Sequence, residues 1–274
     1  MITKYKLYNG EVEVQFDSGV DGNKHAYKKD GKRVRGVTTI MNVLDKSGLI
    51  NWAVGLSRDY LLEKNIGEYV ITETDINDAS RQHTIKKNSA ADSGKLAHRW
   101  IEYYLNGENP DMPTDQEAVF AINAFKQFES EMKPEWLELE KVVYSRKHDY
   151  VGRFDALAMI DGKKTLIDFK TSKGVYREQF YQLGAYKKAW EEEQGIAGGV
   201  ITKENKAIGF DKAIEEINNG KVIEQILILH LDKFEGNFSL YYSQDMDKDI
   251  EAFMACLMIK NWQIERGVPK PDVI

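Results

Sequence analysis

The chain carries three residues whose types and spacing suit them to chemistry: Asp155, Asp168 and Lys170. Strand-like sequence surrounds both aspartates, and Asp161-Gly162 between them is typical of a two-residue hairpin turn. Side chains alternate along a strand, so Asp168 and Lys170 project from the same face. Antiparallel neighbours lie about 5 Å apart, which lets both carboxylates reach one hard cation such as Mg2+. The pattern therefore predicts metal-assisted cleavage of a phosphodiester bond.

An ordinary ion pair at a strand end is the alternative interpretation of Asp168 and Lys170. Exposed pairs of this kind are common and contribute little to stability. Two neighbouring aspartates, however, repel each other, and both remain ionised only where a cation neutralises them. Spacing alone leaves both interpretations open, so the flanking sequence has to decide between them.

Two predicted helices flank these strands and carry further polar residues. The first covers residues 88–105 and includes His98. The second covers residues 176–194 and includes Gln182 and Tyr186, which are four residues apart and therefore share a face. An isolated histidine on a helix is usually an ordinary polar residue. His98 is therefore a candidate site residue only because the two aspartates and the lysine are also present.

Three short motifs occur in a fixed order: GRFD at 152–155, IDFKTSK at 167–173 and QLGAY at 182–186. Together they resemble the nuclease domain of the RecB family, within the PD-(D/E)XK superfamily. Residues 37–44 and 49–55 resemble the opening of phage-type exonucleases and of the related mitochondrial genome maintenance exonuclease. Taken alone, those two segments are equally consistent with an amphipathic helix and a turn. The matching segments span most of residues 36–190.

The resemblance implies a catalytic role for each member of the cluster. Asp155 and Asp168 would bind one or two Mg2+ or Mn2+ ions, assisted by the backbone carbonyl of Phe169. Lys170 would orient the attacking water and stabilise charge in the transition state. The expected cofactor is therefore Mg2+ or Mn2+.

Four more residues are implicated by the same resemblance. Gln182 and Tyr186 match a Gln-x-x-x-Tyr signature and would support the site by hydrogen bonds to the lysine or to the substrate. His98 ends a Gly-x-x-x-His segment and would be an additional metal ligand or another contact in the active site. Glu140 matches a further acidic position found in many relatives, although a strand-edge glutamate without function is the alternative.

The single cysteine, Cys256, argues against one branch of this superfamily. Some relatives hold an iron-sulfur cluster, which needs four thiolates, so no such cluster is expected here. Cys256 lies in an apolar helical segment and is expected to be a small core residue.

The net charge of −6 does not by itself favour a nucleic-acid partner, because phosphate binding relies on lysine and arginine. Basic residues nevertheless lie near the cluster in sequence: Lys95 before His98, and Lys173 and Arg177 after Lys170. The aromatic residues available to stack on bases are Tyr176, Tyr181 and Trp100. These residues predict a DNA-binding groove, the alternative being that each basic residue lies on an ordinary solvated face.

Length and composition predict one main domain, residues 36–274, after an N-terminal β-hairpin extension, residues 1–35. The predicted fold class is mixed α/β with a restriction-endonuclease-like core, in which a central mixed β-sheet is flanked by helices and the site lies at one edge of the sheet. No apolar run is long enough to cross a bilayer, and the N-terminus lacks the pattern of a secretory signal. A cytoplasmic protein without a membrane partner is therefore expected.

The hydrophobic pattern also predicts the order of elements. Predicted helices cover residues 40–64, 88–105, 115–132, 176–194 and 246–265. Predicted strands cover residues 137–144, 150–160, 164–169, 225–231 and 238–242, and an N-terminal hairpin uses residues 5–16 and 24–34.

The sequence leaves three classes of function open. A metal-dependent DNA exonuclease of phage or prophage type, acting in recombination or end processing, is the leading hypothesis. A structure- or site-directed endonuclease on the same core is the second, and a non-catalytic nucleic-acid-binding module with a relic site is the third. The expected partners are the DNA substrate and phage recombination proteins, with RNA as an alternative substrate.

Overall fold

A computed structural model describes residues 2–19, 26–45, 47–64, 67, 69–195 and 222–266 of the chain. These residues form a mixed sheet of nine strands with helices packed against it. The predicted mixed α/β class, a central mixed sheet flanked by helices, is confirmed. Within the same residues, no helix combines the length and the apolar character needed to cross a membrane.

The strands are β1 (Ile2–Leu7), β2 (Val12–Asp17), β3 (Ala26–Lys29), β4 (Lys32–Gly36), β5 (Glu135–Ser145), β6 (Tyr150–Ile160), β7 (Lys163–Lys170), β8 (Gln225–Leu231) and β9 (Phe238–Tyr242). The helices are α1 (Val37–Ile40), α2 (Ser47–Lys64), α3 (Glu73–Leu105), α4 (Gln116–Met132), α5 (Arg177–Glu193) and α6 (Met246–Arg266). Short 3-10 helices cover Tyr8–Gly10 and Met41–Val43.

The strand order is β1-β2-β3-β4-β6-β7-β8-β9, and β5 also pairs with β6. The β4–β6 and β7–β8 pairs are parallel, and the other pairs are antiparallel. Asp155 and Asp168 therefore lie on inner strands, so the prediction that the site sits at one edge of the sheet is wrong. The chain returns after α5 to add β8 and β9 beyond β7, which the spacing of the aspartates does not reveal.

Turn chemistry sets the hairpin that joins β6 to β7. Asp161 and Gly162 both have positive φ, 50° and 74°, as a tight two-residue hairpin requires. This hairpin is confirmed, and the bounds of β6 and β8 agree with the sequence pattern. In contrast, residues 5–16 are interrupted by the 3-10 helix Tyr8–Gly10 and form two paired strands.

Two helix predictions need correction. Residues 40–64 are divided among α1, a 3-10 helix and α2, because Leu44 is extended at the end of the 3-10 helix. The helix predicted over residues 88–105 begins at Glu73, where Thr72 and Asp75 form a capping box. Its predicted end at Asn106-Gly107 is confirmed.

The core consists of three clusters. One cluster joins α5 and α6 to the sheet and contains Cys256, as predicted. A second joins α3 and α4 to the sheet and contains Trp100, which is only 6% exposed and donates its indole N–H to the carbonyl of Pro110. Trp100 is therefore a core residue, and the prediction that it stacks on bases is wrong. The third joins β1–β4 to β5 and β6.

Candidate active site

The two aspartates face each other across the β6–β7 pair. The register pairs Ala156 with Ile167, so the next position outward places Asp155 opposite Asp168. The Oδ2 atom of Asp155 accepts a hydrogen bond from the backbone amide of Phe169 at 2.7 Å. This bond fixes the Asp155 carboxylate beside the strand that carries Asp168, as the strand periodicity predicts.

Lys170 is held by Asp168 within the same strand. Its Nζ lies 2.5 Å from Oδ2 of Asp168, which is 3% exposed. Burial raises the pKa of Asp168 to about 6 against the opposing charge of Lys170, and Asp155 adds to the rise. Burial lowers the pKa of Lys170, but Asp168 and Asp155 outweigh this effect and raise it overall. The lysine therefore stays protonated at neutral pH.

The Gln182–Tyr186 pair lies behind the aspartates on α5. The side-chain amide of Gln182 donates to the hydroxyl of Tyr186 at 2.8 Å. Support of the site by hydrogen bonds to Lys170 or to the substrate stays a prediction. Tyr186 is buried, and burial together with the charge of Asp168 raises its pKa. A Cβ at Gly152 would lie 2.2 Å from Cε1 of Tyr186, so only glycine permits this approach. The glycine that opens the GRFD motif thus makes room for the tyrosine.

Helix α3 approaches the cluster through its glycine and histidine. A Cβ at Gly94 would lie 2.7 Å from Oγ1 of Thr171, the residue directly after β7. One turn later, the half-buried ring of His98 lies 6.1 Å from that of Phe169. His98 is close enough to Asp168 for its positive charge to favour the ionised carboxylate. The structure therefore brings His98 to the aspartates, from which it is distant in sequence.

Glu140 joins the cluster from β5. Register pairs on either side of it place Glu140 opposite Asp155, and its Oε2 lies 3.0 Å from Nε of Arg153. Burial raises the pKa of Glu140 to about 7, and the charge of Asp155 adds to the rise while Arg153 opposes it. Glu140 also has a left-handed backbone, with φ of 47°. That conformation costs a non-glycine residue about 1 kcal/mol, and such outliers cluster at functional sites.

Arg153 is the member of the cluster to which the sequence assigned no role. It lies two residues before Asp155 on β6 and is therefore on the same face. Strand alternation could have predicted that Arg153 lies near the aspartates. Its pairing with Glu140 could not be predicted, because the register of β5 on β6 cannot be deduced from the sequence of either strand alone.

The predicted nucleic-acid-binding residues lie at the surface. Lys95 is exposed and pairs with Asp92 on its own helix at 3.2 Å. Lys173 and Arg177 are exposed, and Tyr176 is 53% exposed at the start of α5. Their positions are compatible with substrate contact, and their role stays a prediction.

The donor set is suited to Mg2+ or Mn2+. Among the described residues, no group of three or more His, Cys, Asp and Glu side chains is arranged as a metal site. Mg2+, however, commonly uses only one or two protein carboxylates and keeps several waters. Asp155 and Asp168 supply such carboxylates. Burial raises the pKa values of Asp168 and Glu140, and the neighbouring charge of Asp155 adds to both rises.

Comparison with known proteins adds little to this geometry. No known protein family and no curated protein matches the sequence significantly. A crystal structure of a protein described as SSO0001 aligns with 80% of this chain and 92% of its own, at 12% sequence identity and a TM-score of 0.27. A TM-score this low does not establish a shared fold.

Proposed function

We propose that this protein is a Mg2+- or Mn2+-dependent deoxyribonuclease with a restriction-endonuclease-like core. The observation that supports the proposal best is the placement of Asp155 opposite Asp168, with the ammonium group of Lys170 held against Asp168. Like-charged carboxylates kept together on adjoining strands are unfavourable unless a cation neutralises them. The RecB-like motifs supply the same three residues in the same order.

Asp155 and Asp168 would hold the metal, and His98, Glu140 and the backbone carbonyl of Phe169 are the further candidate ligands. A bound Mg2+ supplies positive charge to the scissile phosphate and lowers the pKa of a coordinated water. The hydrogen bond from Phe169 engages Oδ2 of Asp155, and the Oδ1 atom of that carboxylate would be the one to bind the metal.

Lys170 is positioned to act on the phosphate or on the attacking water. Its ammonium group remains charged, and Asp168 restricts its position. A fixed cation beside the reacting phosphate stabilises the negative charge that develops during hydrolysis. Gln182 and Tyr186 would act indirectly. The bond from Gln182 orients the ring of Tyr186, and the close contact of that ring with Gly152 packs α5 against the strand that carries Asp155.

Exonuclease action is the form of the activity that we favour, and it rests on the resemblance to phage-type exonucleases. The test is digestion of linear DNA and of covalently closed circular DNA by the purified protein, with Mg2+ or with EDTA. We expect nucleotides to be released from linear DNA only with Mg2+, while the circle survives. Cutting of the circle would identify an endonuclease, and intact DNA under every condition with Mg2+ or Mn2+ would refute the proposal.

A further inference from the structure

The N-terminal strands present an aromatic face. The register of β1 on β2 and of β2 on β3 places Tyr5, Phe16 and Tyr27 on one side of the sheet. The rings of Phe16 and Tyr27 lie 4.9 Å apart, and all three side chains are half-buried. One side of Tyr5 and of Tyr27 packs against the third core cluster, whose valines continue the same face toward β5 and β6.

This aromatic face leads directly to the candidate active site. Gly36, the last residue of β4, pairs with Val151. Val34, two residues before Gly36, pairs with Tyr27, and Arg153 is two residues after Val151 on β6. Strand alternation therefore places Arg153 on the face of Tyr27. Tyr5 and Tyr27 lie within electrostatic range of Arg153, and Tyr27 also lies within range of Glu140.

Arg153 is suited to bind a phosphate at this junction. Its side chain is 44% exposed, and its Nε is directed at Glu140. The Nη groups of the same guanidinium have the planar donor geometry that matches a phosphate. Arg153 therefore joins the aromatic face to the carboxylates on which the proposed chemistry depends.

The charge of the N-terminal strands also suits a nucleic acid. The described residues of β1–β4 include two acidic residues, Glu13 and Asp17, and seven basic ones. The basic residues are Lys4, Lys6, Lys28, Lys29, Lys32, Arg33 and Arg35. By the strand register, Lys29 and Lys32 share the face of Tyr27, and the other five basic residues lie on the opposite face. The excess therefore gives these strands as a whole a local positive potential, in contrast with the net charge of −6 for the whole chain, but most of it lies off the aromatic face.

We propose that Tyr5, Phe16, Tyr27 and Arg153 form a subsite that holds unpaired nucleotides next to the cleavage site. Arg153 binds a phosphate, and the aromatic rings stack on bases. Base faces are available for such stacking in single strands and are covered in an intact duplex. The subsite rests on the proposed nuclease function and specifies its substrate as a single strand or a frayed end.

The test is binding of a labelled oligodeoxythymidylate and of a duplex of equal length, measured by fluorescence anisotropy with Ca2+ in place of Mg2+. Tyr27→Leu keeps apolar volume but removes the ring, and Tyr27→Phe keeps the ring. We expect Tyr27→Leu to weaken single-strand binding about tenfold, while Tyr27→Phe retains it and duplex binding changes less. Lys28→Ala is the matched control, since Lys28 is adjacent on β3 but lies on the opposite face, 3.8 Å from Asp17.

Arg153→Gln provides a second, independent variant in case Tyr27→Leu does not fold. It should weaken single-strand binding and reduce the slope of its salt dependence by about one. Unchanged single-strand binding in both folded variants, or equal losses in Tyr27→Leu and Lys28→Ala, would overturn the subsite. Because binding is measured without cleavage, a protein that binds through Tyr27 but never cuts DNA in Mg2+ or Mn2+ would uphold the subsite and refute the nuclease proposal.

Discussion

At the scale of single residues, the candidate site is defined by charges that oppose one another. Asp155, Asp168 and Glu140 are held together by two strand pairs, and Lys170 and Arg153 offset them only in part. Burial is the main cause of the raised pKa values of Asp168 and Glu140, and the nearby charge of Asp155 adds to them. Such crowding opposes stability and is expected where a cation is needed for function.

Glu140→Gln tests this crowding through its effect on stability. The folded pKa of Glu140, about 7, is above its ordinary value of 4.5, so the folded protein favours the protonated form. The parent should therefore lose stability relative to Glu140→Gln as the pH rises from about 4.5 to 7, by up to about 3 kcal/mol. Urea denaturation without divalent ions at pH 4.5 and pH 8 measures this difference. A difference that does not change with pH, or an equal change in Glu135→Gln, an exposed control on the same strand, would contradict it.

Gly152→Ala tests the close approach of Tyr186. The new Cβ would lie 2.2 Å from a buried ring that cannot move freely, so we expect a loss of about 1–3 kcal/mol in the free energy of unfolding and a loss of DNA cleavage. Gly55→Ala is the control, because no described atom lies within 4 Å of a Cβ there and alanine favours the helix α2. If Gly152→Ala were as stable as the parent, the contact with Tyr186 would not require glycine at position 152.

At the scale of elements, the features that could be predicted from the sequence are those that depend on neighbouring residues in the chain. The Asp161-Gly162 hairpin followed from turn residues, and the alternation around Asp168 and Lys170 followed from strand periodicity. The start of α3 was missed because residues 73–88 are mostly polar, even though its capping box was present in the sequence. The pairing of β5 with β6, which brings Glu140 to the site, depends on tertiary structure and had no local signal.

Asp75→Asn tests the capping box that begins α3. Hydrogen bonds from the hydroxyls of Thr72 and Tyr69 lower the pKa of Asp75 to about 2. A lowered carboxyl pKa contributes stability above about pH 4, which is lost as the pH falls toward 2. We expect the parent to be more stable than Asp75→Asn at pH 7 and the difference to vanish near pH 2. Hydrogen exchange in the first turn of α3 and thermal unfolding measure this, with exposed Glu73→Gln as the control.

If Asp75→Asn matched the parent at pH 7, the capping box would not explain where α3 begins. If the difference instead persisted unchanged to pH 2, the contribution of Asp75 would be steric rather than ionic.

At the scale of the whole molecule, β6 and β7 lie in the middle of the sheet, with the other strands on either side of them. The N-terminal strands join on through β4, and the strands after α5 extend the sheet beyond β7, so the candidate site lies between two strand groups. Sequence alone placed the site at an edge because the later crossover was not visible in the spacing of the motifs. The same order brings the basic N-terminal strands to an otherwise acidic site, which would reconcile the negative net charge with the proposed nucleic-acid substrate.

The rate at which Lys170→Ala cleaves linear DNA in Mg2+ tests the central claim most directly. Lys163→Ala is the matched control, since Lys163 is an exposed lysine at the other end of the same strand, β7. Once circular dichroism shows that both variants are folded, we expect Lys170→Ala to be slower than the parent by about 100-fold or more, and Lys163→Ala to retain the parent rate. A folded Lys170→Ala that cleaves DNA at the parent rate would contradict the assignment of Asp155, Asp168 and Lys170 as a nuclease centre.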